Sequence, residues 1–391
     1  MDFPQRLSGL PEYPFSRLRN LLDRIPPGDR MIDLSVGEPR HPFPQSVVET
    51  AFREAQGFGR YPPNNGSAGL LQAISDWLKL RYRVDIDSET RLLALNGMRE
   101  GLFNSGLALC PEKKNGATPA ILIPNPFYQV YAAAAAAAGA EPVFVPAVKE
   151  TGYLPDIASL PTALLQRTAM LYLCSPSNPQ GAVAGKDYLQ ELLRLAERHR
   201  FRIMADECYA EIYRGDPPVG LLEVAVEIGA DPELYAIFHS LSKRSNLPGL
   251  RSGFMAGGPQ SIAAMKKLKA YAGAPIPTPL LAASAEAWSD ESHVETSREA
   301  YRVKFQLADE ILGGFAGYRR PEAGFFLWLN VGDGESTTVR LWSQTGLRVL
   351  PGAYLGRTEN GVNPGSDYIR VALVTEIDEL RVSLERLRGC I

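Results

Sequence analysis

The stretch HSLSKRSNLPGLRSGF, residues 239–254, gathers Lys243, Ser240, Ser242 and, eight positions after the lysine, Arg251. A lysine amine attacks carbonyls and, once its pKa is depressed, carries protons. Hydroxyls and a guanidinium fork are groups that hold phosphate. Four further stretches place polar groups directly after apolar runs. Asn96-Gly97-Met98-Arg99-Glu100 follows RLLAL, and Pro124-Asn125-Pro126-Phe127-Tyr128 follows PAILI. Cys174-Ser175-Pro176-Ser177-Asn178-Pro179-Gln180-Gly181 follows AMLYL, and Asp206-Glu207-Cys208-Tyr209 follows RIMA. Taken singly, NPFY or SNPQG is an ordinary turn, Asp206 a helix cap, and a lysine usually a solvated surface charge. Taken together, the five offer an anion cradle, a flat ring, an amide, a carboxylate beside a phenol, and a lysine among hydroxyls.

The elements that would bring them together can be read from the apolar runs at 91–95, 119–123, 142–145, 169–173, 202–205, 234–238 and 252–256. Helix-like segments such as 99–109, 128–138 and 186–199 alternate with them. Continuous apolar strands between helices predict a mostly parallel sheet covered on both faces, a doubly wound α/β domain over residues 45–280. In such a sheet ligands bind beyond the carboxyl ends of the strands, which is where the five stretches fall. The alanine run 132–138 predicts a helix packed closely on the sheet. Beyond residue 280 a charged helical stretch, 281–313, precedes GFFLWLNV (324–331) and YIRVALV (368–374), which predicts a smaller α+β domain over 281–391. Residues 1–44, whose first forty carry prolines at 4, 11, 14, 26, 27 and 39, predict an arm that lies over another part of the molecule and contributes to the small domain.

A ligand that meets all five groups needs a phosphate, a flat ring, a ring nitrogen for the carboxylate, a ring oxygen for amide and phenol, and a carbonyl for the lysine. Pyridoxal 5′-phosphate has each of them. At these residues the chain resembles the class I and II, fold type I, pyridoxal-phosphate aminotransferases. The order N-P-x-G, D-x-x-Y, S-x-x-K and then Arg251 carries the resemblance, which runs from Gly37-Glu38-Pro39 to Arg370; Ser252 departs from the usual aliphatic residue.

The resemblance implies a seven-stranded large-domain sheet and implies roles. Lys243 would hold the cofactor's carbonyl carbon covalently and move the proton of the substrate α-carbon. Asp206 would pair with the ring nitrogen, Asn178 and Tyr209 with the ring oxygen, and Tyr128 and Cys208 would flank the ring. The backbone after Gly97 (Met98, Arg99), Ser240, Ser242 and Arg251 would hold the phosphate. Tyr61 would reach a neighbouring subunit's phosphate, which implies a homodimer with shared sites. Arg370, with the Gly37 backbone and Asn178 nearby, would bind the substrate α-carboxylate. The stretches YPFSRLRNLL, SVGEPRHP, LNGMREGLF, NPFYQVYAAAA and ADECYAEIY are most similar to bacterial N-succinyldiaminopimelate aminotransferases of lysine and diaminopimelate biosynthesis. The alternatives are another class I/II aminotransferase of aspartate, alanine or aromatic type, or a pyridoxal-phosphate C–S lyase. Arg17, Arg19 and Arg40 are candidates for reading the far end of the substrate.

Composition narrows the remaining classes. With 45% hydrophobic and 22% charged residues and a formal charge of −3, the chain has the make-up of a soluble globular protein and lacks the basic surface that nucleic acid or an anionic membrane demands. Four cysteines without C-x-x-C spacing, and no signal-peptide pattern, point to a reducing cytoplasm. His41, His199, His239 and His293 show no metal-ligand spacing, so no metal is expected. An S-x-x-K acyl transferase would also need S-D-N and K-T-G, and a nicotinamide enzyme G-x-G-x-x-G; none occurs. A cofactor-sensing domain fused to a DNA reader would need residues for a helix-turn-helix, and none remain.

Overall fold

The computed structural model describes residues 5–391, so Pro4 of the expected arm lies outside the described residues. The seven apolar runs form one sheet: β1 (Leu92–Leu95), β2 (Ala120–Asn125), β3 (Glu141–Pro146), β4 (Thr168–Cys174), β5 (Arg202–Asp206), β6 (Tyr235–Ser240) and β7 (Gly253–Gly257). Their spatial order is β1-β7-β6-β5-β4-β2-β3. Only β7 runs against its neighbours, so six carboxyl ends open on one edge. The centre of the sheet is buried, β4 and β6 over every residue and β5 over all but Arg202, as expected for strands covered on both faces. One apolar core, including Trp77, Leu192 and Trp288, lies to one side of the sheet, and another, including Leu102, Tyr131 and Met265, to the other. The alanine-rich helix Gln129–Ala137 belongs to the second. It lies so close to helix Met98–Leu109 that a Cβ on Gly106 would come within 2.9 Å of the Ala134 carbonyl oxygen.

A second sheet of three antiparallel strands, ordered β9-β10-β8, consists of β8 (Phe326–Asn330), β9 (Leu350–Pro351) and β10 (Tyr368–Ala372). The N-terminal segment joins these C-terminal elements, since Ile32–Asp33 pairs in parallel with Leu347–Arg348. Helix Pro14–Leu22 packs its Leu18 and Leu22 in one cluster with Trp328, Trp342 and Leu350. The charged stretch expected over 281–313 is two helices, Thr278–Ser289 and Ser292–Leu312, separated at Asp290-Glu291. The expected division at 280 falls inside the first of them, whose Leu281, Ala287 and Trp288 belong to the core beside the large sheet. The second helix places Tyr301, Phe305 and Leu312 in the core under the small sheet. The change of core therefore comes at the helix break, because the helix before it has its apolar face on the large sheet.

Candidate active site

The carboxyl edge of the large sheet and the face of the small sheet enclose a cleft of about 480 Å³. Each sheet-derived stretch reaches it. Helix Met98–Leu109 begins there, directly after β1, with Gly97 as its N-cap at φ +84°. A Cβ at Gly97 would lie 2.0 Å from an Arg251 guanidinium nitrogen, so this glycine gives the arginine its place. Ser240, the last residue of β6, caps the short helix Leu241–Arg244: its Oγ accepts from the Ser242 amide at 3.1 Å and donates to the Ser242 hydroxyl at 2.9 Å. Two hydroxyls, a guanidinium and a helix N-terminus thus share one end of the cleft, a built anion cradle.

Asp206 ends β5 and is 4% exposed. Its Oδ2 accepts from the Tyr131 hydroxyl at 2.7 Å and its Oδ1 from the Cys208 amide at 3.3 Å. Burial raises its pKa against these hydrogen bonds, and no cation of the described residues forms a salt bridge with it. A buried carboxylate in that position is completed by a cationic group entering the cleft. Tyr128, Asn178, Cys208 and Tyr209 line the same space. Burial lifts the Tyr209 phenol and the Cys208 thiol well above their ordinary values, so both are neutral donors at physiological pH.

Lys243 enters from the turn after β6, and its Nζ donates to the Gly37 carbonyl. Burial lowers its pKa to about 8, and the positive charges of Arg370 and Arg251 act in the same direction. Arg370 stands at 4% exposure in β10, opposite Trp328 of β8 and Leu350 of β9. It donates to Asn178 Oδ1 at 2.9 Å and to the Ser35 carbonyl at 2.7 Å, while its Nε is buried without a partner. Its guanidinium lies 4.2 Å from the centroid of the Phe326 ring. Burial lowers even this guanidinium, to about 10. A cation held this far from water, with a donor unused, has the capacity to receive an anion.

Tyr61 is not in the cleft of its own chain; its side chain is fully exposed. Arg17, Arg19 and Arg40 do not line it either: Arg17 lies over the Tyr354 ring and Arg40 donates to the Asp33 carbonyl. Helix Pro14–Leu22 instead presents aromatic groups at the cleft, Phe15 together with Tyr13 just before it. His239 faces away, 2.9 Å from Glu207 Oε2 and packed against Trp77. Sequence reasoning missed Tyr131, which the 128/131 spacing places one helical turn after Tyr128, and Phe326, hidden within an apolar strand. It missed Tyr13 and Phe15 because an arm's destination is not written in its own residues.

The groups present fit pyridoxal phosphate: an anion cradle with room only for glycine at 97, a buried carboxylate lacking a cation, and a lysine with a depressed pKa between them. Comparison with known proteins agrees. The family model described as aminotransferase class I and II matches residues 29–387. A curated relative, the LL-diaminopimelate aminotransferase of Desulforudis audaxviator (strain MP104C), is 30% identical over 99% of this chain and 97% of its own. That of Aquifex aeolicus (strain VF5) is also 30% identical, over 99% of both. Among solved structures, an aminotransferase from Neisseria meningitidis Z2491 superposes with a TM-score of 0.94 at 35% identity, covering 99% of each chain. The aminotransferase AspB of Helicobacter pylori 26695 gives 0.89 at 34%, covering 100% of this chain and 99% of that one. The chain belongs to the class I and II aminotransferases, enzymes that use pyridoxal phosphate to exchange amino groups between amino acids and 2-oxo acids.

Proposed function

We propose that the chain transaminates an acylated diaminopimelate, N-succinyl-L,L-2,6-diaminopimelate, against 2-oxoglutarate, in the cytoplasm and as a homodimer. The observation that carries the transamination is the Lys243 amine, depressed to about 8 by burial and set between Asp206 and Arg370 in one cleft. Bound pyridoxal phosphate supplies the electron sink that lets the substrate α-carbon give up its proton. In this reading Lys243 carries the cofactor and holds that proton in transit, its depressed pKa leaving a usable neutral fraction near physiological pH. Asp206 holds the ring nitrogen protonated, Asn178 and Tyr209 donate to the ring oxygen, and Tyr128 and Cys208 flank the ring. Ser240, Ser242, Arg251 and the amides of Met98 and Arg99 hold the phosphate. Arg370 takes the α-carboxylate, its free Nε completing a second hydrogen bond to it.

The substrate's distal half follows from what lines the rest of the cleft. Free LL-diaminopimelate, the substrate that the relatives' names give, carries a distal ammonium, and Asp206 is the only carboxylate among the residues lining the cleft. With Asp206 engaged at the ring nitrogen, that ammonium meets no second carboxylate among the residues lining the cleft. Succinylation removes the ammonium and adds a carboxylate, and Arg99 lines the cleft with its Nε 3.1 Å from the Tyr128 hydroxyl. Steady-state kinetics with N-succinyl-LL-diaminopimelate, LL-diaminopimelate, aspartate, alanine and phenylalanine as donors tests the assignment. The succinylated donor should have the highest kcat/KM, by about tenfold or more, the order of magnitude of one charged contact. A higher value for free LL-diaminopimelate would overturn it.

A further inference from the structure

A second cavity, of about 490 Å³, lies between the segment after Gly37 and helix Ser292–Leu312. Its walls include His41, Asn246, Ser297 and Lys304, with the apolar Phe43 and Val303. Lys304 is 3% exposed. An ammonium has three donors and no acceptor, and among the described residues Lys304 meets a single polar partner, His41 Nε2 at 2.6 Å. No carboxylate of the described residues forms a salt bridge with it, although buried charges are ordinarily paired. Because His41 Nε2 accepts that bond, its proton sits on Nδ1, and Nδ1 is buried with no acceptor. The Tyr301 hydroxyl, whose ring packs 4.5 Å from the His41 ring, is a further buried donor without a partner. Burial lowers His41 to about 4 and Lys304 to about 8, so at neutral pH one imidazole is neutral and one amine still largely charged.

Donors without acceptors therefore gather at this cavity: two hydrogens of the Lys304 ammonium, with His41 Nδ1 and the Tyr301 hydroxyl beside it. We propose that the cavity is a binding site for a small monocarboxylate, its carboxylate on the Lys304 ammonium and its apolar stem against Phe43 and Val303. Glu376, also in the wall, offsets the Lys304 charge without forming a salt bridge to it, so the carboxylate is held by the ammonium's two unused hydrogens, and a second negative charge meets no further cation among the residues lining the cavity. The site is separate from the cleft yet adjoins its supports. His41 lies four residues after Gly37, whose carbonyl takes the Lys243 amine, and Asn246, three residues after Lys243, donates to the Pro42 carbonyl at 3.1 Å and to Ser297 Oγ at 3.2 Å.

Calorimetric titration of the holoenzyme with butyrate tests the proposal, with Arg370→Ala as the parent to silence carboxylate binding in the active-site cleft. The expected result is one saturable binding event in Arg370→Ala, weakened at least about tenfold when Lys304→Met is added. Ala300→Phe, which fills the cavity and leaves Lys304 in place, should weaken it likewise and serves if the lysine variant does not fold. Absence of butyrate binding in Arg370→Ala, or equal binding after either added substitution, would overturn it.

Discussion

Lys243 illustrates how a buried functional group burdens the protein that holds it. Its amine titrates at about 8 in the folded chain against an ordinary 10.5, with burial the largest cause. A group whose pKa is lower folded than unfolded binds more protons when unfolded, so stability rises with pH between the two values and the burden is complete below about 8. The gap amounts to at most about 3 kcal/mol. In cofactor-free protein, Lys243→Met should therefore gain stability relative to the parent at pH 7, by up to about 3 kcal/mol, and lose the gain as pH rises toward 10.5. Urea midpoints of parent and variant at pH 7 and pH 10 measure this; a difference independent of pH would show that the amine is not depressed. The same substitution should abolish transamination. Part of this residue was legible in the sequence: S-x-x-K beside Arg251 marked the lysine proposed to bear the cofactor, and the lowered pKa that such a role needs is present in the structure. Its contact with the Gly37 carbonyl was not legible, because it joins residues 206 positions apart.

At the scale of elements, the site depends on how strands end and helices begin. Gly97 is the clearest case, since it adopts φ +84° and any Cβ there would collide with Arg251. Gly97→Ala should leave the sheet intact, because β1 is already complete at Leu95, yet displace the guanidinium and weaken cofactor retention by about tenfold, equivalent to about 1.4 kcal/mol. Titrating cofactor-free variant with pyridoxal phosphate and following its absorbance checks this; unchanged affinity would remove Gly97 and Arg251 from the phosphate's support. The seven large strands could be read because each is a continuous apolar run ended by a turn, and burial on both faces demands such runs. Leu350–Pro351 could not, being two residues long and defined only by its pairing with Ile369 and Arg370. The helix break at Asp290-Glu291 was likewise hidden. No proline or glycine interrupts residues 281–312, so the two helices read as one, and what separates them is the core each packs on.

Across the whole molecule, one surface lacks a partner. Phe43, Val48, Phe52, Phe58 and Tyr61 are all exposed, close together along the chain, with Tyr61 entirely so. Single exposed apolar side chains need no explanation, but a group of this size from one segment marks a contact surface. The proposed homodimer covers it and gives Tyr61 a phosphate to reach in the neighbouring subunit. Light scattering at micromolar concentration should then return twice the chain's 42.8 kDa for the parent and close to a single chain for Phe52→Glu/Phe58→Glu, with cofactor lost on dialysis as the copies separate. Tyr61→Ala separates the two functions of that surface. Its mass should stay that of the dimer while affinity for pyridoxal phosphate falls about tenfold or more, because a hydroxyl that donates to a charged oxygen is worth about 1.5–3 kcal/mol net. A parent of single-chain mass would refute the dimer. A dimeric Tyr61→Ala with undiminished affinity would leave the dimer standing and confine each site to the residues of one chain.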